Sequence, residues 1–187
     1  MAWPQGLLDR LTRLGRETLG AVSIEFGMLA APFLILLCAI MAAAMQLLAQ
    51  QTLDDRLDDA TRAVFTGVFQ KGADPSQNPT DRIRALMCSG VTMFPCAQLK
   101  VEVTIGTTFS NPSARQPYDP NTGKMTDGFG TKFSCPTGDQ IATIRAAVPV
   151  PSYFGLINVN GIRLGDGSNL LVSTAVFRTE PFTQATC

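Results

Sequence analysis

The run FGMLAAPFLILLCAIMAAAM, Phe26 to Met45, decides the fold: 20 residues without a single charge. A hydrocarbon core about 30 Å thick takes about 20 helical residues at about 1.5 Å each, so the run is long enough to span a bilayer. Ala21 to Ile24 extend it on one side and Leu47 to Ala49 on the other, which predicts a membrane helix over 21–49. A cleaved secretory signal has an apolar core of only about 7–15 residues and a small-residue cleavage site behind it, and this run fits neither feature. The flanks give the direction. Arg10, Arg13 and Arg16 precede the run, whereas Asp54, Asp55, Asp58 and Asp59 follow it with Arg56 and Arg62. Basic flanks stay on the cytoplasmic side. The expected organisation is a cytoplasmic leader over 1–20, the helix over 21–49, and a domain outside over 50–187.

Composition agrees with an apolar block on a sparsely charged chain. Charged residues are 16% of the 187, and 15 Lys+Arg balance 15 Asp+Glu, which leaves no electrostatic footprint for nucleic acid. The chain has no histidine, so Ser-His and Cys-His catalysis and His-ligated metals are excluded. Neither a GxGxxG nor a GxxxxGK[ST] loop occurs, so no phosphate-cradling site is signalled. No cofactor or metal is expected.

Of five cysteines, Cys38 lies inside the apolar run, while Cys88, Cys96, Cys135 and Cys187 lie on the outer side. Four cysteines there suit two disulfides in an oxidising compartment, with three connectivities open. The favoured pairing joins Cys88 to Cys96 in a short local loop and uses Cys135 with Cys187 to pin the C-terminal end.

Glu25 stands at the edge of the apolar run. An ionisable side chain in a span costs roughly 2.5–3.5 kcal/mol on insertion scales, which makes it a candidate functional group. Its surroundings read Leu19-Gly20-Ala21-Val22-Ser23-Ile24-Glu25-Phe26-Gly27. A glycine, four residues, a glutamate and an aromatic, behind a short basic leader and ahead of a long apolar helix, resemble the processing site of type IV pilin-like proteins. The Flp/Tad branch is the nearest in pattern, with Phe26 where a tyrosine is usual. The resemblance implies cleavage between Gly20 and Ala21 by a membrane-embedded prepilin peptidase, which makes Glu25 the fifth residue of the mature chain. It also implies a pairing across subunits: the Glu25 carboxylate would meet the α-amine of a neighbour's Ala21 and set the register of one helix against the next. A buried cation and a buried anion, each unfavourable alone, offset one another when paired. Pro32 removes one helical hydrogen bond and is the expected kink.

Beyond the membrane, Leu53, Leu57, Ala60 and Val64 continue one apolar stripe at helical spacing. One helix from about Val22 to about Val68 is expected, about 70 Å long. Gly67 and the stretch 71–79 end it. Thr80 or Asp81 is the expected cap of a short helix through Met87. QLKVEVTIGTTF (98–109) alternates as a half-buried strand, with Leu99, Val101, Val103 and Ile105 inward. Residues 110–138, rich in turn formers, read as an excursion in which Tyr118, Phe129 and Phe133 form a small local core. The oxygen-rich segment from Asp119 to Asp127 reads as turns rather than a calcium loop. QIATIRAAVPVP (140–151) and NLLVSTAVFRTEPF (169–182) are the second and third strands, with Arg178 and Glu180 as a surface ion pair. The fold class is α+β: a long N-terminal transmembrane helix that continues as a spine against a small antiparallel sheet.

The resemblance returns at two further places. Ala60-Thr61-Arg62-Ala63-Val64, with Gly67 after it, is similar to the helix that follows the span in TadE-like proteins. The ending from Ser173 to Phe182 is similar to their C-terminal strand, which often closes in Arg-x-Glu-Pro-Phe. The chain thus resembles a TadE-like minor pilin or pseudopilin of the Tad pilus system. That implies a non-enzymatic subunit in the bacterial inner membrane with its domain in the periplasm, processed after Gly20 and acting in adhesion and biofilm formation. Implied partners are the prepilin peptidase, other pilin and minor pilin subunits, the inner-membrane pilus platform and membrane lipid. The alternative is an uncleaved inner-membrane anchor carrying a periplasmic binding or scaffold domain.

Overall fold

The computed structural model describes residues 18–109, 115–152, 162–183 and 186–187, with side chains from residue 23 onward. The expected leader therefore lies mostly outside the described residues. A single helix, α1, runs over Thr18–Phe65, 48 residues. A helical turn α2 (Val68–Lys71) and a short helix α3 (Pro79–Met87) follow. Three long strands, β1 (Lys100–Gly106), β4 (Ile141–Val150) and β5 (Asn169–Arg178), form the sheet. A two-residue hairpin, β2 (Tyr118–Asp119) with β3 (Lys124–Met125), lies within the excursion between β1 and β4. The architecture is α+β. The chain divides into two compact units, the first ending at Met41 and the second running from Ala42 to Cys187.

In the first unit the described part is helix, and its large apolar side chains, among them Phe26, Leu29, Phe33 and Leu36, face outward. Water does not tolerate such a surface over five turns, and a helix apolar all round requires an apolar surrounding. The helix passes the length and composition test for crossing a membrane.

In the second unit, the C-terminal part of α1 lies on the sheet. Ala49, Leu53, Leu57, Ala60 and Val64 are all buried, at steps of four, four, three and four. Asp54, Asp55, Asp58 and Asp59 point to solvent from the other side. The buried stripe packs with Val101, Val103, Ile144, Ala146, Val148 and Leu171 in one core, to which α3 adds Ile83 and Met87. α1 stops at Gly67, whose φ of +76° suits a residue without a side chain. The Phe65 carbonyl, left without a helical donor, accepts from the Glu180 amide at 3.0 Å.

The sheet order is β1-β4-β5, antiparallel throughout, so β4 is central. The reading of β1 as half-buried is corrected: Glu102 and Thr104 are as deeply buried as Val101 and Val103. The cause is the excursion, which folds back over the second face of the sheet. There Phe129, Leu164, Leu170 and Ala147 form a second core with Tyr118 and Met125 against it. The excursion also covers the free edge of β1, since Val103 donates to the Lys132 carbonyl at 3.2 Å and accepts from the Ser134 amide at 2.8 Å. An exposed sheet edge is a pairing hazard, and these bonds remove part of it. Phe133 joins the main core rather than the local one, packing 5.8 Å from Phe69, ring centre to ring centre.

Two further expectations are corrected. The cap of α3 is Asn78, whose side chain accepts from the Thr80 amide at 2.9 Å. Pro79 takes the first helical position, where its missing N–H is no loss, so the helix starts ahead of Thr80. β5 ends at Arg178 instead of running to 182. The Thr179 hydroxyl donates to the Thr137 carbonyl at 2.6 Å, and Pro181 has no amide to extend a ladder.

Candidate functional site

The residues singled out by sequence sit on α1. Gly20 and Ala21 lie within its helical backbone. Glu25 and Phe26 are exposed, as are nearly all the residues that follow them through Met41. Among the described residues no cation pairs with Glu25, so its carboxylate stands at the head of a long uncharged surface. In the sequence, 20 uncharged residues separate Glu25 from Gln46, and a helix of that many residues is about as long as a hydrocarbon core is thick. Pro32 lies within the helix and leaves the Met28 carbonyl without its helical donor. Next to the acidic group, Gly27 offers open space: a Cβ there would meet nothing within 4 Å. Cys38 is an exposed free thiol on the same helix.

Cys88, Cys96, Cys135 and Cys187 form two disulfides. Cys88 bonds Cys96, with Cα atoms 6.0 Å apart, and Cys135 bonds Cys187, with Cα atoms 5.8 Å apart. Cys187 of the second bond, like both cysteines of the first, packs against the main core, and its carbonyl accepts from Arg82 Nη1 at 2.7 Å. The first closes a loop that leans on α1 through the bond from Arg56 Nη2 to the Val91 carbonyl, 3.2 Å.

A polar ladder crosses the covered face of the sheet and was not read from the sequence. Glu102 on β1 faces Arg145 on β4, which in turn faces Thr174 on β5. Arg145 donates from Nε to the Thr174 hydroxyl at 3.0 Å and from Nη1 to the Arg115 carbonyl at 2.8 Å. The Arg115 amide donates to Glu102 Oε1 at 3.3 Å. Burial pushes the Arg145 guanidinium below arginine's ordinary pKa, and the Glu102 carboxylate acts in the opposite sense. The signal was present: Glu102 and Arg145 are the charged interruptions of two apolar strands. Periodicity alone assigns such residues to solvent.

Three other acidic side chains serve turns. Asp119 accepts from the Asn121 amide at 2.9 Å and the Thr122 hydroxyl at 3.0 Å, bonds that hold its carboxyl below the usual range and turn β2 into β3. Asp74 and Asp166 are held down in the same way by Ser76 and Ser168. Among the described residues no cluster of acids and cysteines is arranged for a metal ion. Arg178 pairs with Asp139 at 3.0 Å and not with Glu180, which corrects the expected ion pair. Asp139 sits just before β4, the strand beside β5, and so lies nearer to Arg178 in space than in sequence.

Neither the curated proteins nor the solved structures contain a match to this chain. A family model described as TadE-like protein matches residues 20–62. The match takes in Glu25, the whole uncharged run and the start of the buried stripe at Leu53 and Leu57. Over residues 20–62 this chain is similar to TadE-like proteins, a likeness consistent with a protein of the Tad pilus system.

Proposed function

We propose that this protein is a non-enzymatic minor pilin or pseudopilin, held in the inner membrane by residues 21–49 with its domain, 50–187, in the periplasm. In this reading a prepilin peptidase cuts between Gly20 and Ala21. Gly20 suits that step, because a peptide bond must leave the helix to be cut and glycine weakens a helix by about 1 kcal/mol relative to alanine. The freed Ala21 amine of one subunit then meets the Glu25 carboxylate of another. The subunit exchanges lipid contact for helix contact, and the charge pair fixes the vertical register. The partners are other pilin and minor pilin subunits and the inner-membrane platform, and the processes served are adhesion and biofilm formation.

The observation that supports this reading best is Glu25 itself: one exposed acid at the head of an uncharged helix that crosses no other charge before Asp54. Replacing Glu25→Ala is expected to reduce filament number much more than membrane protein level, measured by electron microscopy beside an immunoblot. Normal piliation in that variant would remove the register mechanism.

The uncleaved anchor is favoured by one observation, the unbroken helical backbone through Gly20–Ala21. N-terminal sequencing of membrane-extracted protein separates the two: Ala21 as first residue supports the pilin, and an intact leader supports the anchor.

A further inference from the structure

We infer that a single buried water molecule bridges Gln46 of α1 and Asn169 of β5 and fastens the helix to the end of the sheet. Gln46 is an amide in an apolar stretch: from Phe26 to Ala49 no other side chain carries an oxygen or a nitrogen. It is only 5% exposed, and Asn169, the first residue of β5, is 3% exposed. Each keeps one polar atom in the interior with no hydrogen-bond partner among the described residues: Nε2 of Gln46, a donor, and Oδ1 of Asn169, an acceptor. Buried polar groups in folded proteins nearly always find a partner, in the chain or in ordered water. Two orphans of opposite character call for one small group that serves both.

The two side chains line one small cavity, together with Ala42 and Ala49 of α1, Met93 of the loop 88–96 and Val150 at the end of β4. All of these residues belong to the second compact unit. The space there open to the centre of a water molecule is about 10 Å³, which is room for one water and no more. Chemistry chooses the occupant. A cation is repelled by the Gln46 N–H, an anion by the Asn169 oxygen, and an organic molecule does not fit. Water accepts from the Gln46 amide and donates to the Asn169 oxygen in one pose, and two polar partners are enough to hold it. Such a bridge is nearly as favourable as a direct hydrogen bond. Its position gives it a structural role. Val150 pairs with Asn169, so the site lies at the last rung of the β4–β5 ladder. One turn further along α1, Gln50 donates directly to the Val172 carbonyl of β5 at 3.2 Å. Helix and strand are thus tied at two successive points, through water at Gln46 and directly at Gln50.

The test uses the full chain in detergent micelles, deuterated and with nitrogen-15 in its glutamine and asparagine side chains. A long-lived bound water gives cross-peaks of opposite sign in laboratory-frame and rotating-frame Overhauser spectra, which hydrogen exchange and surface hydration do not. The Gln46 side-chain N–H protons are expected to show such a pair of cross-peaks at the water frequency. The Gln51 side chain, exposed on the same helix, is expected to show none. Asn169→Leu removes the acceptor and is expected to abolish the Gln46 cross-peaks; if that chain does not fold, Asn169→Val is read in its place. Their absence from the unaltered chain would overturn the inference, since the cavity is then dry or the two amides bond directly. Their persistence after the acceptor is removed would overturn it as well, since the water would then be held without Asn169.

Discussion

Glu102 is wholly buried, and among the described residues its Oε2 has no hydrogen-bond partner. Taking a carboxylate out of water is expensive, and the sheet offsets it with the guanidinium opposite and with the Arg115 amide. Removing one member of a buried pair leaves the other charge uncompensated, which typically costs 3–5 kcal/mol, whereas replacing both by apolar groups is often neutral. Glu102→Ala is therefore expected to destabilise the protein by about 3 kcal/mol, and Glu102→Leu combined with Arg145→Met to recover most of that loss. Urea unfolding of the three chains decides it. A Glu102→Ala loss well under 1 kcal/mol would mean that water, not Arg145, balances the acid.

At the scale of elements, α1 ends because Gly67 takes a left-handed conformation and the Phe182 ring sits where a side chain would project, 2.8 Å from an added Cβ. Left-handed backbone costs a non-glycine residue about 1–2 kcal/mol, and the steric overlap adds to it. Gly67→Ala is expected to lose about 2 kcal/mol or more in thermal or urea unfolding, and Phe182→Ala in the same chain to relieve only the overlap. An unchanged stability in Gly67→Ala would show that the helix end adapts. Gly67 was legible as a stop from sequence, and so was the stripe at Leu53, Leu57, Ala60 and Val64, because helical period is a local property. The second face of β1 was not. Its alternation was read correctly, but Glu102 and Thr104 are covered by residues from 115 onward, a segment with no period to announce where it folds. The partner of Arg178 was missed for a related reason. Asp139 is 39 positions away and adjacent only once β4 and β5 pair. Lys124–Met125 pairing with Tyr118–Asp119 was likewise hidden in a stretch read only as turns. On α1 the candidate residues Glu25, Phe26 and Pro32 needed no tertiary information to find, since a charge or a proline in an uncharged run declares itself.

For the whole molecule, the sheet is assembled from strands far apart in sequence, and two disulfides hold its periphery. Cross-linking stabilises chiefly by restricting the unfolded chain, and the gain grows slowly with the length of the closed loop. Cys88 and Cys96 are 8 residues apart, whereas Cys135 and Cys187 are 52 apart and enclose β4 and β5 entirely. Chain entropy then gives about 2.5 kcal/mol for the short loop and about 4 kcal/mol for the long one. The native contacts point the same way. Both bridges touch the main core, Cys88 and Cys96 as well as Cys187, but at the long one the Cys187 carbonyl also binds Arg82, whose guanidinium reaches the Phe69 and Gly72 carbonyls. Replacing Cys135 and Cys187 by alanine is accordingly expected to lower the urea midpoint more than the same change at Cys88 and Cys96, and to loosen the junction of α2 and α3 in hydrogen exchange. The short bridge acts locally, so its loss is expected to leave that junction protected and to free only the loop around Val91. Equal losses, or a larger one from the short bridge, would mean that the loop 88–96 supports the packing of α1 on the sheet rather than standing on it.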